Sequence, residues 1–396
     1  MSRLKSPTIC IIAGETSGDL LGGYLACAIK TQKPSCRLIG VGMSAMQNAG
    51  VDILIDARQL VVMGLFEVIA KFSVLRRSMR LLTRLFTENP PDLLILIDYP
   101  GFNLRLAAKA KALGIKVMYY VSPQIWAWHY NRIKIIKRNI DRMAVLFPFE
   151  KTLYEKENVP VTLVGHPLMA HAKPTLSRHE AFQHFKLDPK QPIIGLLPGS
   201  RVQEIQRLLP DMLQAVKRIQ TEIPMCQFIL PLAPHLSEAI LAPYDLNGIH
   251  ITKQNRFDAL QLCDSAIVAS GTVTLEIALL QVPMVILYKV NAITAFIAQF
   301  IPEIKKMVKG KKCFGLCNIV AEEALMPELL QHAVTPYAIY TATLELLNNH
   351  SKRQYIQNKL ATLAEKLDSA NAADKAARTA LNLVLTKIRA IDKLTS

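Results

Sequence analysis

Thr8-Ile9-Cys10-Ile11-Ile12-Ala13-Gly14-Glu15-Thr16-Ser17-Gly18-Asp19 reads as a strand that runs through a turn into a helix. Its first six residues are apolar or β-branched without alternation, the pattern of a strand covered on both faces. Two glycines then punctuate the passage into a helical stretch over 20–31. The unit repeats: runs at 37–41, 92–97, 116–121, 142–147 and 160–164 have the same character, and helical segments such as 103–113, closed by Gly114, lie between them. Strands alternating with helices predict a parallel, doubly wound sheet. After Gly165-His166-Pro167 a polar stretch rich in His, Pro and Lys runs to Pro192, and the alternation then restarts at 193–197, 227–231, 249–251, 266–269 and 284–288. The chain therefore reads as α/β, with two Rossmann-like doubly wound domains over 1–166 and 167–335. Helices over 336–396 follow, introduced by Thr335-Pro336 as cap and first turn, and are expected to pack back on the first domain.

Composition narrows the classes. The 396 residues are 51% hydrophobic and 20% charged, an ordinary globular balance that excludes a disordered or collagen-like chain. A formal net charge of +16 favours an anionic partner. The seven cysteines (10, 27, 36, 226, 263, 313 and 317) are odd in number and scattered, which fits a reducing, cytoplasmic compartment. Only Cys313 and Cys317 lie close together, without the second pair that a zinc site needs, so no metal is expected. The opening residues 1–7 are polar and do not form a secretory signal. The apolar runs 277–288 and 290–302 are each shorter than the roughly 18 residues of a membrane span, which leaves peripheral contact as the membrane option.

Ligands of open α/β sheets bind outside the carboxyl ends of the strands, so the turns there decide the chemistry. The turn at 14–19 is neither G-x-G-x-x-G nor a Walker loop, which removes sequence support for dinucleotide binding and Walker-type ATP hydrolysis. It is either a tight turn or a seat for an oxyanion. Strand 193–197 ends in Pro198-Gly199-Ser200-Arg201, where helix-start amides and a guanidinium fork suit phosphate. Strand 266–269 meets Ser270-Gly271-Thr272, with Glu276 one turn into the next helix. Each alone could be ordinary capping. Two such turns at equivalent strand ends point to one phosphorylated ligand, with Glu276 placed to accept from ribose hydroxyls. Asp98 ends the most apolar strand and is either a general base whose pKa burial raises or a cap for the helix near Asn103. With no D-x-D in the chain, helix dipoles and Arg must stabilise a leaving phosphate. No G-x-S-x-G supports a serine hydrolase.

Taken together, 13–19, Val62-Met63-Gly64, Val121-Ser122-Pro123-Gln124-Ile125-Trp126-Ala127-Trp128, Leu197-Pro198-Gly199-Ser200-Arg201 and Ala269-Ser270-Gly271-Thr272 occur in the order seen in lipid A disaccharide synthases. The chain resembles that family over nearly its whole length, most specifically in Ser-Pro-x-x-Trp-Ala-Trp. The resemblance implies a GT-B glycosyltransferase fold without a cofactor. It implies transfer of 2,3-diacylglucosamine from UDP to the 6-hydroxyl of 2,3-diacylglucosamine 1-phosphate at the cytoplasmic face of the inner membrane of a Gram-negative bacterium. Asp98 then matches the base. Gly199, Ser200, Arg201, Ser270, Gly271, Thr272, Glu276 and Asn318 match the UDP-sugar side, and Glu15, Ser17, Gly18, Ser122 and Trp126 the acceptor side. Two departures stand out: Glu322-Glu323 where the family pattern has Gly-Arg, and His129 where it has Arg.

Acyl substrates give a reason for membrane contact. Phe296, Ile297 and Phe300 recur at helical spacing ahead of Lys305 and Lys306, and a second stripe runs through Leu65, Val68, Phe72, Leu75, Met79 and Leu82 beside Arg76, Arg77, Arg80 and Arg84. Each stripe is either an interfacial segment on an anionic membrane surface or a core-facing helix with a solvated basic face. The rival readings are another GT-B enzyme acting on UDP-GlcNAc, either a peptidoglycan GlcNAc transferase or a UDP-sugar epimerase, and a basic non-catalytic membrane- or nucleic-acid-binding protein. Because the chain lacks RNA- or DNA-binding motifs, no nucleic-acid partner is expected.

Overall fold

The computed structural model describes residues 6–59, 67–126, 129–167, 172–290, 313–367 and 371–395. Two units divide the chain, Met1–Ala170 with Ser369–Ser396, and His171–Asp368.

In the first unit, β1 (Thr8–Ala13), β2 (Arg37–Gly42), β3 (Asp52–Asp56), β4 (Leu93–Ile97), β5 (Lys116–Tyr120), β6 (Arg142–Val145) and β7 (Val161–Leu163) form one sheet in the order β3-β2-β1-β4-β5-β6-β7, every pair parallel. All five residues of β4 are buried, which is why its sequence, Leu-Leu-Ile-Leu-Ile, carries no alternation. The chain winds outward from β1 to β3, then reverses to β4. That reversal opens a crevice at the carboxyl ends of β1 and β4. Helices α1 (Thr16–Gln32), α2 (Ser44–Asn48), α3 (Glu67–Glu88), α4 (Pro100–Ala112), α5 (Arg132–Asn139) and α6 (Pro148–Lys156) make the connections. Both α1 and α4 start earlier than the sequence pattern suggests; Pro100, pre-set for a helical first turn, starts the latter.

The second unit repeats the plan. β8 (Ile193–Leu197), β9 (Gln227–Pro231), β10 (Ile249–Thr252), β11 (Ser265–Ala269), β12 (Met284–Tyr288) and β13 (Glu328–Leu330) are parallel in the order β10-β9-β8-β11-β12-β13, so the reversal lies between β8 and β11. Its helices are α7 (Arg178–Phe185), α8 (Val202–Glu222), α9 (Arg256–Leu260), α10 (Val273–Leu279), α11 (Leu316–Ala321), α12 (Pro336–Asn348) and α13 (His350–Lys366). Along α8, Ile205, Leu208, Leu209, Met212, Val216 and Ile219 form a buried stripe at helical spacing. Strands β3 and β13, absent from the sequence reading, are short and lie at sheet edges, where a strand lacks the continuous apolar run that marks a central one.

The terminal helices divide differently from the expectation. Only α14 (Ala372–Thr395) belongs to the first unit, where it packs on α1, β4 and β5 through Ala376, Ala377, Ala380 and Val384. α12 packs on α8, and α13 on α10, within the second unit. The apolar face of α12, with Ile339 and Leu346 fully buried, completes the second core. Thr335 does cap α12, its Oγ1 accepting from the Ala338 amide at 3.2 Å.

Candidate active site

In the first unit, the two turns at the reversal meet. A Cβ on Gly14 would stand 2.6 Å from two carbons of the Tyr99 ring, so only glycine lets the β4–α4 turn close over the β1–α1 turn. Glu15 is the residue before α1 in extended conformation and is half-buried, whereas Ser17 is exposed and Gly18 is buried. Asp19, which follows them, is committed to structure: its carboxylate accepts from the amides of Met43 (2.6 Å), Ala45 (2.9 Å) and Met46 (3.2 Å).

Asp98 stands where β4 ends, with φ +45, and Tyr99 follows with φ +44. Tyr99 is the residue before α4, and no side chain caps that helix, so the capping alternative for Asp98 falls away. The main chain of Asp98 is tied at both ends. Its amide donates to the Tyr120 carbonyl (3.2 Å), and its carbonyl accepts from Asn103 Nδ2 (2.8 Å) and the Tyr119 hydroxyl (2.5 Å). Burial, assisted by the negative charge of Glu15 and opposed by the Tyr99 amide, pushes the Asp98 carboxyl up to about 6.

The segment after β5 is held less openly than expected. Ser122 is buried, its Oγ donating to the Pro123 carbonyl at 2.9 Å and sharing a 2.8 Å bond with the Tyr154 hydroxyl. Trp126 meets Phe149 edge-on with centroids 5.4 Å apart, and Phe149 stacks on Phe147 at 5.7 Å. Beside this array lies Glu150, which the sequence reading missed. It is buried and accepts from the amides of Leu146 (3.1 Å) and Phe147 (3.2 Å); burial, opposed by those two bonds, pushes its carboxyl up to about 7. His166 is driven down to about 4 by the same desolvation.

In the second unit, the Pro198-Gly199-Ser200-Arg201 turn carries its own anion. Glu204 Oε2 accepts from the amides of Ser200 (3.0 Å) and Arg201 (3.3 Å) beneath Gly199, whose φ is +124 and whose Cβ, if present, would lie 2.4 Å from that oxygen. These amides, expected to be open for phosphate, are therefore occupied by a carboxylate three to four residues on. What the turn does present is the Arg201 guanidinium, two-thirds exposed and 3.6 Å from Glu204 Oε1. At the end of β11, the Ser270 amide is used in the sheet, donating to Leu287 (2.8 Å), while nothing lies within 4 Å of the Cβ position of Gly271. Thr272 adjoins this open face as the residue before α10.

Glu276 lies buried on α10 and is ion-paired with Arg256, whose guanidinium sits over the Phe257 ring, 4.7 Å from its centroid. Spacing in the sequence gave no sign of Arg256, because it reaches Glu276 only through the fold. Asn318 is fully buried and saturated: Nδ2 donates to Met326 O (2.8 Å) and Glu328 Oε1 (2.7 Å), and Oδ1 accepts from Met326 N (2.8 Å). Its side chain orders the α11–β13 connection and has both amide hydrogens committed within the protein. Of the residues that depart from the family pattern, the two adjacent acids have clear surroundings. Glu322 is left-handed (φ +55), the conformation that favours the glycine expected there, and Glu323 accepts from the Tyr355 hydroxyl (2.7 Å) and Lys359 Nζ (3.0 Å).

Of the membrane-contact candidates, Phe296, Ile297, Phe300, Lys305 and Lys306 lie outside the described residues, as does the side chain of Phe72 on α3. Farther along α3, Leu82 and Phe86 are buried in the core and Val74, Leu75 and Met79 pack against it, so this part of the stripe faces inward while Arg76, Arg77, Arg80 and Arg84 face solvent. Among the described residues no helix is long and apolar enough to cross a membrane, and no group of three or more His, Cys, Asp or Glu is placed to hold a metal.

Known proteins share the fold of this chain and, more narrowly, its sequence. The UDP-GlcNAc 2-epimerase of Neisseria meningitidis, solved with UDP-GlcNAc bound, superposes with a TM-score of 0.61 at 12% identity, over 95% of this chain and 100% of that one. A calicheamicin glycosyltransferase superposes with a TM-score of 0.56 at 13% identity, over 97% and 100%. These likenesses establish the GT-B fold. At the sequence level, the lipid-A-disaccharide synthase of Coxiella burnetii is 49% identical over 383 residues, 97% of this chain and 100% of the relative, and that of Geobacter metallireducens is 42% identical over 387 residues, 97% and 99%. The family model for lipid-A-disaccharide synthetase matches residues 9–382, and the chain belongs to that family.

Proposed function

We propose that this chain, a glycosyltransferase of lipid A disaccharide synthesis, works by a single inverting displacement in which Asp98 is the base. The donor is UDP-2,3-diacylglucosamine and the acceptor 2,3-diacylglucosamine 1-phosphate. Asp98 takes the proton of the acceptor 6-hydroxyl as that oxygen attacks the donor anomeric carbon; the bond to the UDP phosphate breaks, and UDP leaves from the opposite face. The observation that carries this reading is a desolvated carboxyl at the reversal point of the first sheet, poised to ionise near pH 6. Glu15 and the Gly14 turn sit on the same acceptor side. Arg201 and the open face at Gly271 and Thr272 meet the diphosphate, and Glu276, held by Arg256, meets the ribose. The test is mass spectrometry of the product formed from the two diacylated sugars, with Asp98→Asn alongside. Loss of most transfer with UDP affinity intact supports the base, whereas normal turnover removes it.

The same reading includes peripheral contact with the cytoplasmic face of the inner membrane. Support comes from the net charge of +16 and from the exposed arginines of α3, which attract anionic lipid. Replacing Phe296, Ile297 and Phe300 with Ser is expected to reduce sedimentation with anionic vesicles and leave UDP affinity unchanged. Unchanged sedimentation would assign these three residues elsewhere.

A further inference from the structure

Two successive non-glycine residues in the left-handed region are costly and persist only where the surroundings over-determine them. Asp98 and Tyr99 are such a pair. Asp is among the residues that tolerate this region, but a bulky Tyr is an outlier there. The restraint converges on one atom. Asn103, fully buried on α4, donates Nδ2 to the carbonyls of Ile97 (3.1 Å) and Asp98 (2.8 Å). Tyr119, fully buried on β5, donates its hydroxyl to the same Asp98 carbonyl at 2.5 Å.

We infer that Asn103 and Tyr119 are positioning residues for Asp98: by gripping its carbonyl from a helix and from a strand, they fix the left-handed turn that presents its carboxyl at the end of β4. This inference rests on the reading of Asp98 as the base. Neither side chain touches substrate in this scheme. Each acts through the main chain of Asp98, and Tyr99, next along, owes its place over Gly14 to the same grip. Loss of one donor lets the turn relax toward ordinary backbone, which lets the carboxyl turn out of its buried position toward water.

Tyr119→Phe keeps the ring in the core and removes only the hydroxyl, and Asn103→Ala removes the other donor as an independent second variant. Each is expected to lower kcat about tenfold or more while leaving UDP affinity unchanged. The acid limb of the kcat profile should fall from its position near pH 6, toward the ordinary Asp value of 3.8. In an Asp98→Asn background, neither variant should reduce the residual rate further, because the group they position is gone. A fall in Tm with kcat and the acid limb unmoved would overturn the inference and leave both residues as core bonds; so would equal losses in the two backgrounds. If Asp98→Asn itself turns over normally, the base reading fails and this inference with it. An inactive Asp98→Asn beside fully active Tyr119→Phe and Asn103→Ala overturns the positioning role alone.

Discussion

The ring of Tyr99 lies directly over Gly14, leaving 2.6 Å between its Cδ1 and the place a Cβ would occupy. Two turns 85 positions apart in sequence are thereby closed on each other at the reversal point of one sheet. Gly14→Ala should force Tyr99 aside at a cost of about 1–3 kcal/mol and disturb Asp98 with it. Thermal unfolding and transfer assays should both register the change, with activity falling by more than the stability loss explains. Tyr99→Ala in the same chain should recover most of the stability, since the clash then has no second partner.

Acidity gives a second expectation, and its sign is opposite to that of a salt-bridged aspartate. The native Asp98 carboxyl protonates near 6, above its ordinary value of 3.8, so the folded state holds more protons than the unfolded state between those values. Its stabilising contribution is present below pH 3.8 and lost as pH rises through 6, on the order of 3 kcal/mol in all. Asp98→Asn should therefore be more stable than the parent at pH 7.5 and no more stable at pH near 4. Activity runs the other way: kcat falls as the base protonates below pH 6. Chemical denaturation across the pH range, set beside the rate profile, checks both.

Arg256 and Glu276 form a pair in which each shields the other's burial. Arg256→Met should cost about 3–5 kcal/mol by leaving an unpaired buried carboxylate, and Arg256→Met with Glu276→Leu should recover much of that. UDP affinity should stay low in both variants. Denaturation curves and calorimetric titration with UDP separate the structural effect from the binding effect.

Glu322 closes α11 in a left-handed conformation that glycine adopts at less cost. Glu322→Gly should stabilise the protein by about 0.5–1 kcal/mol without altering the rate of transfer. A lowered Tm would mean that the Glu322 side chain makes a contribution larger than the backbone gain.

The central strands were legible because each is a short, unbroken apolar run: β1, β4, β8 and β11 lie where the sequence places them. Their turns were legible too, since Gly14, Asp98, Gly199 and Gly271 all fall at carboxyl ends flanking the two reversals. What each turn does with its polar groups was not. Glu204 fills the amides at Ser200 and Arg201, a local bond that a Glu at that spacing can make but that spacing alone does not enforce. The full set of partners around Asn318 was hidden too, because a motif names the residue type and says nothing of its burial. Arg256 and Glu150 escaped notice for the converse reason: their importance comes from neighbours that only tertiary folding supplies.

The first unit is discontinuous, since α14 is its last element and follows the whole of the second unit in sequence. During synthesis the ribosome must therefore make all of 171–368 before the helix that covers α1, β4 and β5 emerges. The second unit, continuous in sequence, can complete its core while the first waits with an apolar strip open along α1. Truncation within α14 would accordingly damage the unit at the far end of the chain, the one that carries Asp98.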